Sequence, residues 1–177
     1  LLWAGWFGFN VVSALSVNIT AGVALLTTML ATCAGITGWM CIEKMMAKHV
    51  TSLGLASGAV AGLVGITPAA AYVGPLGALA IGFLTSICCF YAVTTLKRKF
   101  GFDDAVDVFA LHGVGGMVGA ILTGIFCIPA LGGTVSDVNL VQQFFAQVAG
   151  IVLTIVYCGC FTWLIMKGID MTIGLRV

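Results

Sequence analysis

The sequence predicts an all-α fold, a polytopic membrane bundle of about six transmembrane helices, on three observations. Only 7% of the 177 residues are charged and 61% are hydrophobic, with a mean hydropathy of +1.19; a soluble domain carries roughly 25% charged residues. The uncharged stretches are long enough to cross a bilayer, which takes about 20 apolar residues. The basic residues, finally, fall at alternate connections between those stretches. A transmembrane barrel is excluded, because its strands alternate polar and apolar residues and these runs are apolar on all sides. The 24 glycines suit membrane helices, which approach closely where side chains are small.

Taken in order, Leu1 to Ile42 is free of charge and too long for one crossing. Ser16-Val17-Asn18 divides it into a first span (Leu1–Leu15) and a second (Ile19–Ile42). Glu43, Lys44, Lys48 and His49 follow, then an uncharged stretch from Val50 to Leu96. Thr67-Pro68 and Gly74-Pro75 break it into a short span (Leu53–Ile66) and a longer one (Pro75–Leu96). The short span is expected to extend toward Val50 or to lie against protein rather than lipid. Asp104–Ile128 is the fifth span, stopped by Pro129 and Gly132-Gly133, and Val141–Met166 is the sixth. Lys44 and Lys48, then Lys97, Arg98 and Lys99, then Lys167 and Arg176 mark alternate connections, and the others carry no Lys or Arg. Cytoplasmic loops collect such residues, so the first span is expected to run outward and the last to end inside.

Other classes are set aside by composition. A net charge of +1 and a pI near 7.7 give no electrostatic footprint for nucleic acid. The seven cysteines lie in apolar runs without a CxxC pair and read as small buried apolar residues rather than metal or redox motifs. The chain opens on Leu1-Leu2-Trp3 with no initiator Met and no basic segment before an apolar one, so a fragment lacking its front is expected.

Ionisable groups inside a membrane are costly and mark a functional path by default. His112 is the main one. With Asp104 capping the helix start, His112 lies eight residues on, about 12 Å along the axis and near mid-bilayer. Burial disfavours its charged form, and neutral imidazole offers one donor and one acceptor. Gly113, Gly115, Gly116, Gly119 and Gly124 surround it, with Gly115 and Gly119 in a GxxxG pair suited to helix packing. On the first span Trp6, Phe9, Asn10 and Ser13 share a face at spacings of three and four. An outer hydroxyl above aromatic rings suits a small hydrated cation, which a ring face attracts. Asp107 reads as a first-turn carboxylate near the inner face, either assisting the inner mouth or interacting with the helix dipole.

These residues carry a resemblance. Trp3-Ala4-Gly5-Trp6-Phe7-Gly8-Phe9-Asn10 resembles the sixth-helix motif of the ammonium transporter (Amt/Mep/Rh) family, and Gly62-Leu63-Val64-Gly65-Ile66-Thr67-Pro68-Ala69 its eighth helix. The segment from Asp103-Asp104 to Gly116 is similar to its tenth helix, and Gly174-Leu175-Arg176-Val177 to the stretch after its eleventh. The resemblance implies a homotrimer of eleven-helix subunits, with this chain a single membrane domain over 1–177: the second inverted repeat plus the last helix. By resemblance, His112 matches the second of two paired pore histidines. Trp6 and Phe9 match pore aromatics, Phe9 being half of a stacked phenylalanine gate, and Ser13 the outer recruiting site. Asp104 matches a structural acid, with Asn10, Asp107 and Val108 supporting. The partner histidine, the second gate phenylalanine and an outer tryptophan belong to the half not present here.

The implied function is transport of ammonium or ammonia through a largely hydrophobic pore, without enzymatic activity or cofactor. The setting is the lipid bilayer of a plasma membrane or bacterial inner membrane, with a cytoplasmic C-terminus and a cytoplasmic regulatory protein as a further partner. An ammonium sensor on the same scaffold, carrying a regulatory domain beyond Val177, is the alternative. A haem-binding electron-transfer subunit lacks a second intramembrane histidine, and a membrane enzyme lacks clustered carboxylates or a nucleophile–base pair.

Overall fold

The protein is described from a computed structural model, which covers residues 1–101, 103–136 and 139–175. Among these residues there is no strand, and six helices follow one another: α1 (Leu2–Val12), α2 (Ile19–Ala47), α3 (Ser52–Ile66), α4 (Pro75–Phe100), α5 (Phe109–Phe126) and α6 (Leu140–Thr172). Four of them, α2, α4, α5 and α6, are long and apolar enough to cross a membrane. Arg176 and Val177, the end of the last motif, lie outside the described residues.

Local chemistry sets the boundaries. Asn18 caps α2 by accepting from Ala21 N–H, Thr51 caps α3 from Gly54 N–H, and Asn139 caps α6 from Val141 and Gln142 N–H. Each accounts for an orphan donor of a first turn. Pro75 opens α4, where its missing N–H costs nothing. Gly101, at φ 63°, ends α4 in the left-handed conformation that glycine adopts freely.

Three spans run further than charge alone suggests, α6 among them, which continues past Met166 through Lys167 and Asp170 to Thr172, and a fourth starts later. Helix α2 continues past Ile42 through Glu43, which is 8% exposed and accepts from Thr51 N–H (3.2 Å) and Oγ1–H (2.8 Å). That contact joins the end of α2 to the cap of α3, so a charged residue sits inside a helix rather than ending it. Helix α4 likewise runs past Leu96 through a π-helical turn at Ala92–Leu96. Helix α5 does not begin at Asp104: residues 103–107 are irregular and a π-helical turn opens it at Phe109–Val114.

The packing centre is α2 with α3 and α4. Backbone meets backbone there. A Cβ at Gly62 or Gly82 would strike the Ala31 carbonyl, and one at Gly35 the Gly58 carbonyl. Glycine is required at such approaches, which gain dispersion contact that lipid does not supply. Helix α3 is short, 15 residues or about 22 Å; its C-terminal half from Ala61 to Ile66 is buried in protein, while Ser52, Leu53 and Ala56 are exposed. Beyond it the chain stays buried without being helical: Ala69, Ala70 and Val73 are at most 5% exposed, and Thr27 Oγ1 donates to the Ala70 carbonyl. Irregular backbone at membrane depth survives only where protein satisfies it. The α5–α6 connection closes over this segment, with Thr134 N–H donating to the Tyr72 carbonyl at 3.0 Å.

At the edges the picture reverses. Helix α6 has no buried residue and leans on α5, and α1 buries only Asn10. Five of the seven cysteines, Cys33, Cys41, Cys88, Cys158 and Cys160, are exposed, and only Cys89 and Cys127 are buried. The expectation of buried cysteines therefore holds for two. Apolar surroundings in sequence do not separate a face toward protein from a face toward lipid.

Candidate substrate path

Helix α1 carries the first part of the site. Successive residues turn by about 100°, so Trp6, Phe9 and Ser13 lie within one sector and Asn10 at its flank. The structure separates them accordingly. Asn10, 7% exposed, turns toward α2 and donates through Nδ2 to Thr28 Oγ1 at 3.0 Å, while Thr28 Oγ1 donates to the Ala24 carbonyl at 2.6 Å. Asn10 is thus a helix–helix tie and not part of the aromatic face with which its spacing grouped it. Phe9 is 63% exposed and meets Trp6 edge-on, 6.3 Å between centroids. Ser13 follows the last turn of α1 and is exposed; its hydroxyl donates to the Phe9 carbonyl at 2.6 Å, leaving the oxygen's acceptor side for another donor.

Trp6 joins the two ends of the site. Its ring stacks on His112 of α5 at 6.0 Å and 29°. Its indole N–H donates to Thr67 Oγ1 at 2.8 Å, and that hydroxyl donates to the Leu63 carbonyl at 2.8 Å. Thr67 sits where α3 gives way to the buried irregular segment. Sequence reasoning used it as a span break and as part of the eighth-helix motif, without a role at the site; the signal available was a hydroxyl beside a proline at a span end.

His112 lies in the π-helical turn Phe109–Val114. Single π turns are uncommon and recur at functional sites. The ring is exposed, and among the described residues its nitrogens make no hydrogen bond. On its open side a cleft of about 620 Å³ separates α5 from α6, lined by His112, Gly113, Gly116, Gln147 and Thr154 among others. Gly115 and Gly119 face the other way: a Cβ at Gly119 would strike the Gly65 carbonyl, and one at Gly115 would press on Cys89 Sγ. The GxxxG pair packs, whereas Gly116, with nothing within 4 Å of a built Cβ, leaves open space.

Asp104 does hold the start of α5, though from a distance. Its carboxylate accepts from Val108 N–H (2.9 Å) and Phe109 N–H (2.8 Å), four and five residues on, across a loop. Val108 is the N-cap of that turn. His112 is therefore about 5 Å along the axis from the helix start at Phe109, rather than about 12 Å from a start at Asp104, and its ring stacks on Trp6. Asp107 is not in the first turn. It precedes the helix at φ 57° and pairs with Lys97 Nζ at 2.7 Å, a partner that sequence reasoning had assigned only to topology. No group of three or more His, Cys, Asp or Glu suited to a metal occurs among the described residues.

The family model described as Ammonium Transporter Family matches residues 1–177. The chain belongs to this family. Ammonium transporters of Aquifex aeolicus and Bacillus subtilis are 44% and 42% identical to it, over 100% and 99% of the chain. The chain spans 42% and 44% of the length of those two relatives. Among solved structures, Saccharomyces cerevisiae Mep2 superposes with a TM-score of 0.88 at 34% identity, covering 97% of this chain and 41% of that one. A structure titled Sensor Amt Protein gives 0.91 at 29% identity, covering 99% and 43%. This ammonium transporter family member is accordingly an integral membrane protein built of helices.

Proposed function

We propose that this chain supplies one side of a pathway for ammonium across a bilayer. The observation that carries the reading is the stack of His112 on Trp6, with neither imidazole nitrogen hydrogen-bonded among the described residues and an open cleft beside them. Ammonium is held outside near Ser13, whose oxygen can accept an N–H, and gives up its proton to water before the apolar stretch. The neutral molecule passes Phe9, Trp6 and His112. A charge at mid-bilayer costs at least ~2.5–3.5 kcal/mol on insertion scales, so potassium, with no proton to release, is held back. The identity to curated ammonium transporters supports the substrate. We extend the reading to a homotrimer with a cytoplasmic C-terminus, in a plasma or bacterial inner membrane, open to a cytoplasmic regulatory protein. In this reading 1–177 is one membrane domain, the second inverted repeat of the subunit plus its last helix.

His112→Ala in the full-length protein, reconstituted in liposomes, tests the pathway. Ammonium uptake falls at least about tenfold, or selectivity over potassium is lost; unchanged uptake and selectivity would end the reading. The likeness to Sensor Amt Protein favours a second reading, an ammonium sensor. Full signalling by a variant that conducts nothing would establish it.

A further inference from the structure

The hairpin between α4 and α5 has features that the path itself does not use. Helix α4 contains a π turn at Ala92–Leu96 and α5 opens with another at Phe109–Val114, and the two turns pack on each other. Lys97 follows the first turn directly and Asp107 stands two residues before the second. Their ion pair, 2.7 Å long with side chains 31% and 26% exposed, bridges the two turns. Asp107 is held at φ 57°, a conformation that a non-glycine residue keeps only when its surroundings impose it. From that position its carbonyl accepts from Leu111 N–H at 2.9 Å. Leu111 is buried with Cys89, Phe90 and Trp39, and the next residue is His112.

The geometry points to Lys97 and Asp107 as positioning residues for His112. The ion pair holds Asp107 in its left-handed conformation, Asp107 holds the Leu111 amide, and the register of that turn sets the imidazole against Trp6. A substitution at the α4–α5 loop therefore reaches the path without touching it. The charges nearest in sequence to the pair are Arg98 and Lys99 on α4 and Asp103 and Asp104 in the loop. Asp104 is engaged with Val108 and Phe109 N–H, and Asp103 also has a partner. The consequence for transport rests on the proposed role of His112.

The test uses the full-length protein with Asp107→Asn, Lys97→Gln and the swap K97D/D107K. Asparagine tolerates the left-handed region, so the first variant removes charge alone. Two quantities are read: modification of His112 by diethyl pyrocarbonate, followed by mass spectrometry, and the concentration dependence of ammonium uptake. A half-exposed pair contributes at most about a fivefold factor. Each single variant changes the His112 modification rate about two- to fivefold and lowers maximal uptake about as much, at an unchanged half-saturating concentration. The swap restores both. His112 modification unchanged in both single variants, or a swap no better than either, overturns the positioning role. Changed modification with unchanged uptake keeps that role and overturns the pathway reading instead.

Discussion

Trp6 shows how one side chain can be placed by two unrelated forces. Its ring face is set by stacking on His112 and its edge by the bond to Thr67 Oγ1. Thr67→Val keeps the shape and removes the acceptor, leaving a half-buried indole N–H unpaired. That costs about 1–3 kcal/mol, read as lower thermal stability in detergent, together with reduced uptake as the stack loosens. Asn10→Ala separates a tie from a path residue. The Thr28 hydroxyl keeps its bond to Ala24, so the loss is about 0.6 to 1.7 kcal/mol, the range of interhelical hydrogen bonds in membranes, and uptake per folded molecule is unchanged. Of the site residues, Trp6, Phe9, Ser13 and His112 are legible from the sequence because aromatic, hydroxyl and imidazole groups stand out in apolar runs. Asn10 stands out equally, yet its direction depends on where α2 lies.

Helices here are decided by whether their glycines meet backbone or space. Gly119→Ala drives a Cβ into the Gly65 carbonyl, and neither backbone gives way without moving a helix. Overpacking of this kind costs about 1–3 kcal/mol. Gly116→Ala, three residues earlier and with nothing within 4 Å, is neutral or gains up to about 1 kcal/mol from helix propensity. Parallel thermal unfolding of the two variants in detergent checks the contrast; equal losses would mean that α5 packs the other way round. The five glycines of α5 look alike in sequence. Helix α5 also shows where boundary reasoning fails. Asp104 does accept from free amides of the first turn, as a cap would, but a carboxylate can reach across a loop of four residues, and a string of residues does not reveal that reach.

The whole molecule is tight at its centre and open at its sides. Helices α2, α3 and α4 close on one another, while α6 has no buried residue and Phe9 remains 63% exposed. A path needs walls on every side, and this chain, spanning 42% and 44% of the length of its Aquifex aeolicus and Bacillus subtilis relatives, offers one. Reconstituted alone in liposomes, it is expected to give no ammonium flux above protein-free vesicles, as measured by an internal pH dye. Saturable flux would contradict the proposal that residues outside this chain complete the path.

Composition alone determined that the solvent is lipid, and the spacing of charge together with the polar, proline and glycine breaks inside the uncharged stretches determined six helices and their order. Motif order along those helices was enough for the family. Which face of each helix meets protein, where α5 begins, that Trp6 answers to Thr67 and that Lys97 answers to Asp107 were decided only in three dimensions. In a chain that is apolar on every side, hydrophobic patterning no longer distinguishes inside from outside. Direction is then set by close fits between backbones and by single hydrogen bonds between residues far apart in the chain, 61 positions for Trp6 and Thr67.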